Sequence, residues 1–228
     1  MAIVKKYKAK VEEIKNPFPD IYTVTFSSDK RFQFLPGQFL HLALDEYDGI
    51  GQWPESRCFS MQSSPIEPQI TITFSIKGRF TKRIADKLYE GKEVWLKLPY
   101  GDLFSQAHSL NNCVFIAGGT GITPYLSLFT DGSFAKYVKP VLYFGARSQQ
   151  YNIYNKELEK TKIINYGISI KTFYENIDGF LKIEEIFNDY GNLATYFISG
   201  PPLMIKSFKN FLLSKELEEK KIRTDEWE

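Results

Sequence analysis

The segment 113–129, Cys-Val-Phe-Ile-Ala-Gly-Gly-Thr-Gly-Ile-Thr-Pro-Tyr-Leu-Ser-Leu-Phe, limits the fold more than any other part of the sequence. Its first five residues are apolar and partly β-branched without alternation, which fits a strand buried on both faces of a parallel sheet. Gly118, Gly119 and Gly121 follow, where a backbone can approach a ligand closely. Thr123 can then cap a helix with Pro124 at its first position, and the free N–H groups of such a helix start attract a pyrophosphate. A tight strand-to-helix turn also needs glycine without any ligand, so this segment alone leaves both readings open.

Beyond about residue 106 strand patterns alternate with helical ones, the order of a doubly wound parallel sheet. Strands are predicted over 113–117, 140–144, 168–172 and 195–199, with a closing strand at 222–227. Helices are predicted from Pro124 onward and over 152–161, 183–188 and 203–213. Ligands of open parallel sheets collect beyond the carboxyl ends of the strands, which here carry the turns 118–124, 145–147 and 199–202. Gly200, Pro201 and Pro202 can shape a ligand turn or simply stop a strand. Arg147 can contact an adenosine ribose or its phosphate, or stand solvated.

The first hundred residues read differently, as short strands over 6–14, 21–27, 39–44, 57–62, 70–76 and 93–98 separated by turn residues, the pattern of a small antiparallel barrel. A helix with Ile84, Ala85 and Leu88 on one face is predicted over 80–89. Its start, Gly78-Arg-Phe-Thr81, combines a flexible glycine with a hydroxyl able to cap, beside Arg79, Lys82 and Arg83. That is either a second place for phosphate or a capped linking helix with solvated charges. In 55–60 strand alternation puts Arg57 and Phe59 on one face and Cys58 and Ser60 on the other.

Composition excludes more than it selects. The 29 basic and 27 acidic residues nearly cancel, so the net charge of +2 gives no argument for nucleic acid. Two cysteines, Cys58 and Cys113, supply neither a disulfide framework nor an iron–sulfur cluster, and two histidines, His41 and His108, leave little for a metal site. The N-terminus lacks an apolar signal core and no run approaches the ~20 apolar residues of a membrane span. A cytoplasmic protein without a membrane span is therefore expected.

Taken in order, Arg57-Cys-Phe-Ser60, Gly78-Arg-Phe-Thr81, Gly118-Gly-Thr-Gly-Ile-Thr-Pro124, Tyr143-Phe-Gly-Ala-Arg147 and Ser199-Gly-Pro-Pro202 resemble the ferredoxin-NADP reductase superfamily over nearly the whole chain. The resemblance implies an FAD-binding β-barrel domain over 1–105 and an NAD(P)-binding α/β domain over 106–228, with hydride passing from nicotinamide to flavin at their interface. Carried over, Arg57 would contact the flavin phosphate, Phe59 would pack by the ring or ribityl chain, and Ser60 would hydrogen-bond near flavin N5. Cys58 belongs to the same strand, and Gly78, Arg79, Phe80 and Thr81 to the flavin phosphate turn. Gly119, Thr120, Gly121, Pro124, Gly200 and Pro201 would line the nicotinamide-nucleotide site, with Arg147 towards its adenosine end. Pro36, Gly37 and Gln38 match a turn of structural role.

Phe59 stands where the family prefers tyrosine, and Ser199 where many members have cysteine over the nicotinamide C4, a change expected to weaken stacking and slow transfer. Asp225 and Trp227 match the family's acidic and terminal aromatic pair, which implies a role beside the flavin or over the nucleotide. The expected protein is an FAD-dependent NAD(P)H oxidoreductase, FAD favoured over FMN, passing electrons to a ferredoxin, a flavodoxin or an oxygenase component. A reductase of free flavins or ferric chelates, and a flavin-binding subunit without turnover, are the alternatives. NADH or NADPH can be the donor. No acid follows Arg147 directly, which leans towards NADPH.

Overall fold

The computed structural model describes residues 3–225. β1 (Lys5–Phe18), β2 (Ile21–Ser27), β3 (Phe39–Ala43), β4 (Ser56–Ser60), β5 (Ile70–Ser75) and β6 (Glu93–Tyr100) form an antiparallel sheet in the order β4-β3-β6-β1-β2-β5. The sheet curls until its outer strands nearly meet: just beyond β4, the Gln62 N–H donates to the Thr71 carbonyl of β5 at 2.8 Å. Closure in this way spends the free backbone groups of an edge on each other. Alternation does the rest, since Val24 and Phe26 of β2, Leu40 and Leu42 of β3 and Val94 and Leu96 of β6 all point into one core. α1 (Arg79–Lys87) adds Phe80 and Ile84 to that core.

β7 (Cys113–Gly118), β8 (Val141–Ala146), β9 (Ser169–Tyr174), β10 (Thr195–Ser199) and β11 (Ile222–Thr224) make a second sheet in the order β11-β10-β7-β8-β9, with every neighbouring pair parallel. β7 explains why its sequence does not alternate. Phe115 and Ala117 pack with Tyr125 and Phe129 of α2 (Thr123–Phe129) and Leu158 of α3 (Asn155–Ile164). Val114 and Ile116 pack on the opposite face with Ile183 and Ile186 of α5 (Ile183–Tyr190) and Ile205, Phe208 and Leu212 of α6 (Pro202–Ser214). A strand covered on both sides has no polar face to show. The short α4 (Glu175–Asp178) follows β9 directly.

One local expectation needs correction, and another is met from a different position. Thr123 does not cap α2: a 3-10 turn over Gly119–Ile122 leads into the helix, Thr123 is already helical at φ −56°, and its hydroxyl donates to the Thr120 carbonyl at 2.9 Å. Thr81 caps α1 from inside rather than from the start, its Oγ1 accepting the N–H of Lys77 at 2.9 Å and of Gly78 at 3.1 Å. The closing strand covers Ile222–Thr224, and Trp227 lies outside the described residues.

The two sheets are fastened by groups away from the strand ends. The Phe104 ring sits so close under Gly37 that a Cβ there would stand 2.4 Å from it, and the same ring lies 5.3 Å from that of Phe197 in β10. Ser127 of α2 donates to the Ser63 carbonyl at 2.8 Å, and Ser64 to the Asp131 carboxylate at 2.9 Å. No helix among the described residues is long and apolar enough to cross a membrane.

Candidate functional site

The carboxyl ends of β7, β8 and β10 open on the barrel across a cavity of 770 Å³, whose barrel wall includes Phe59, Ser60, Thr73 and Thr81. One face of the cavity is set by two turns pressed together. A Cβ on Gly121 would lie 2.5 Å from the Cα of Gly200, so only glycine permits the turn after β7 to touch the turn after β10. Gly119 differs: at φ +55° it has nothing but its chain neighbours within 4 Å of an added Cβ, and its face of the turn is open.

At the seam between barrel and parallel sheet three polar side chains from distant parts of the chain converge. Ser199, last residue of β10, donates to Asp225 Oδ2 at 3.1 Å, and Ser60, last residue of β4, reaches the same oxygen at 3.4 Å. The Asp225 N–H is held by the Ile198 carbonyl at 3.0 Å, which fixes the carboxylate just past the end of β11. Loss of water around this group pushes its pKa up to about 7, against the pull of the two hydroxyls, which favour the charged form. Near neutral pH the carboxyl can therefore hold or release a proton.

The matching family model is the oxidoreductase NAD-binding domain, over residues 115–179. The chain is 26% identical to the phenol hydroxylase P5 protein of Acinetobacter pittii, across 98% of this chain and 66% of that protein. It is 35% identical to the glycine betaine monooxygenase reductase subunit of Pseudomonas aeruginosa, across 66% of this chain and 42% of that one. The chain thus spans between 42% and 66% of the length of these curated relatives. Its fold matches the ferredoxin NADP+ reductase of Neisseria gonorrhoeae, solved with bound FAD and NADP, with a TM-score of 0.79, 17% identity and 99% of both chains covered. The chain thus carries a match to this NAD-binding domain and has the fold of the ferredoxin-NADP reductases.

Within that fold the structure brings most of the sequence-predicted positions to one place. Cys58, Phe59, Ser60, Thr81, Gly119, Thr120, Gly121, Arg147, Ser199, Gly200, Pro201 and Asp225 all line the cavity. Others stand back from it. Phe80 is buried in the barrel core, and Pro124 is buried inside α2. Arg79 is turned to solvent, its side chain 91% exposed and paired with Glu55 at 3.4 Å. Gly78 starts α1 outside the lining, and Arg57 holds its guanidinium over the Phe80 ring, 5.2 Å from the centroid. Cys58 Sγ lies 3.6 Å from His41 Nε2, and burial raises the thiol pKa, so it is no ready nucleophile.

Sequence reasoning missed several lining residues: Lys77, Tyr151, Tyr154, Phe173, Glu175 and Phe180. Glu175 and Phe180 follow β9, and the rule that ligands gather past strand ends could have found them had that turn carried a glycine motif. Tyr154 carries no such signal. Its hydroxyl is buried and has no hydrogen-bond partner among the described residues.

Proposed function

We propose that the protein is an FAD-dependent NAD(P)H oxidoreductase that takes hydride from nicotinamide and sends electrons on to a separate acceptor: a ferredoxin, a flavodoxin or an oxygenase component. The observation that carries this reading is the convergence of Ser60, Ser199 and Asp225 where the barrel meets the strand ends. A barrel ligand and a sheet ligand in one cavity would touch at that seam. The names of the relatives, which are parts of oxygenase systems, and the FAD and NADP held by the Neisseria enzyme support the same reading.

The walls fit both groups. Phe59 and Phe74, rings 5.4 Å apart, offer an apolar surface for a flat ring beside the Ser60 hydroxyl. Arg57 and the Gly78–Thr81 turn would hold the flavin phosphate, with Arg79 and Phe80 shaping that turn. The open face at Gly119, with Thr120 and Gly121, would take the nucleotide pyrophosphate. Gly200 and Pro201 would border the nicotinamide, and Arg147 would stand at the adenosine end. The orphaned Tyr154 hydroxyl is a donor that a polar ligand would satisfy. The segment 1–105 is then the flavin half and 106–228 the nucleotide half.

Bound flavin supplies the chemistry, accepting a hydride and releasing single electrons. The protein supplies position and a proton. Asp225, with its pKa at about 7, keeps a proton within reach of the Ser60 and Ser199 hydroxyls, and those hydroxyls hold its orientation.

The visible spectrum of purified protein, recorded before and after anaerobic addition of NADH or NADPH, tests the proposal. Flavin bands that bleach with nucleotide are expected, with FAD released on denaturation. A colourless protein that binds neither FAD nor FMN on addition would refute it.

A further inference from the structure

The order of the parallel sheet decides which end of the cavity meets which half of a dinucleotide. With a pyrophosphate at the turn after β7, one arm must run over β10 and β11 and the other over β8 and β9. The first arm reaches Ser199 and Asp225 beside the barrel's Ser60, so it carries the reacting ring. The adenosine therefore lies over β8 and β9, between Arg147 and Glu175, both of which line the cavity.

Sequence alone leaves Arg147 able to tolerate the 2′-phosphate of NADPH. The structure gives that arginine another partner. Asp20, in the tight turn between β1 and β2 of the barrel, accepts from Arg147 Nη1 at 3.0 Å. Surface ion pairs are usually loose, but this one is pinned on both sides. Phe18 stacks on Tyr151 with ring centroids 3.9 Å apart and planes 10° from parallel, and the Arg147 guanidinium lies over the same Tyr151 ring at 5.4 Å. The Asp20 carbonyl is itself fixed, accepting the Ile76 N–H at 2.8 Å. Glu175 brings a carboxylate to this wall, joined to Arg147 through the Asn176 N–H on the Arg147 carbonyl at 3.4 Å, and it pairs with no cation among the described residues. The other cation of the wall, Lys77, belongs to the Gly78–Thr81 turn, where its N–H is bonded to Thr81.

We propose that Asp20, a residue of the barrel, sets the nucleotide preference: by occupying Arg147 while Glu175 stands on the adenosine wall, it disfavours a 2′-phosphate and selects NADH over NADPH. The proposal rests on reading the cavity as a nicotinamide-nucleotide site. A 2′-hydroxyl can donate to Glu175, whereas a 2′-phosphate meets that carboxylate beside an arginine already neutralised by Asp20.

Isothermal titration of the full chain with 5′-AMP and with 2′,5′-ADP, the adenosine halves of the two nucleotides, tests it without turnover. Wild type should bind 5′-AMP more tightly, by about tenfold, and Asp20→Asn should move the ratio towards 2′,5′-ADP by a similar factor. Asparagine keeps the backbone carbonyl that holds Ile76, so the turn should survive. Glu175→Gln should shift the ratio the same way. A wild type that prefers 2′,5′-ADP, or a ratio that Asp20→Asn leaves unchanged, would overturn the role of Asp20 while the nucleotide site stands. Failure of both compounds to bind at millimolar concentration would remove the site itself and the inference with it.

Discussion

Asp225 shows how one side chain ties protonation to folding. Its pKa in the folded chain is about 7, above the ~3.9 of an unfolded aspartate. Between those values the folded state binds more protons than the unfolded one, so this group's contribution is complete below about pH 4 and is lost as pH rises through about 7. Asp225→Asn keeps an acceptor for Ser60 and Ser199 without the charge. Its stability relative to wild type, from urea unfolding at pH 5 and pH 8, should rise with pH. Ser199→Ala removes the nearer donor to the carboxylate, so the pKa should move further up, and the pH midpoint of this stability difference should move with it. An unchanged midpoint would mean that the hydroxyl does not act on Asp225. Ser60, Ser199 and Asp225 were reached in the sequence through the family resemblance, and of the three only Ser199 closes a strand where the pattern places its end. Asp20 was not. Its partner Arg147 is 127 residues away, and nothing local marks a turn aspartate as part of a site in the other sheet.

Among the elements, the turn after β7 separates two roles that its glycines share in sequence. Gly121 faces the backbone of Gly200, and Gly121→Ala should cost on the order of 3 kcal/mol in urea unfolding because neither turn can retreat. Gly119 faces open space, and Gly119→Ala should cost only about 1 kcal/mol, the strain of a side chain at φ +55°. Equal losses would show that the two turns are not in firm contact. The strands were legible to within a few residues, since period-two alternation marks the barrel and unbroken apolar runs mark the parallel sheet. Helix starts were read less well. Thr123 and Thr81 are hydroxyls in plausible capping places, but a 3-10 turn ahead of α2 absorbs the first, and the second works from the third helical position. Which of several nearby oxygens takes a free N–H depends on backbone angles that composition does not specify.

For the whole molecule, the fold class was readable because each half has its own period, and the order of motifs fixed how the halves follow each other. Their fastening was not readable. Ser63, Ser64, Ser127 and Asp131 look like ordinary polar residues, yet the Ser127 hydroxyl is buried against the Ser63 carbonyl and Ser64 meets Asp131. Removing a buried donor leaves its acceptor unsatisfied, so Ser127→Ala should cost about 1–3 kcal/mol. If these contacts couple the halves, thermal unfolding of the variant should broaden or split into two transitions while wild type unfolds in one. A variant with wild-type midpoint and sharpness would show that the halves are coupled elsewhere.

The position of Asp225 also has a consequence for how the protein is made. The barrel strands are finished at residue 100, whereas the carboxylate that Ser60 meets comes from the stretch after Thr224. A chain growing from the ribosome can shape its barrel, and even the turns after β7 and β8, long before the last side chain of the seam exists. Until that residue leaves the exit tunnel the two serines have no carboxylate between them, and the seam between barrel and parallel sheet is completed last.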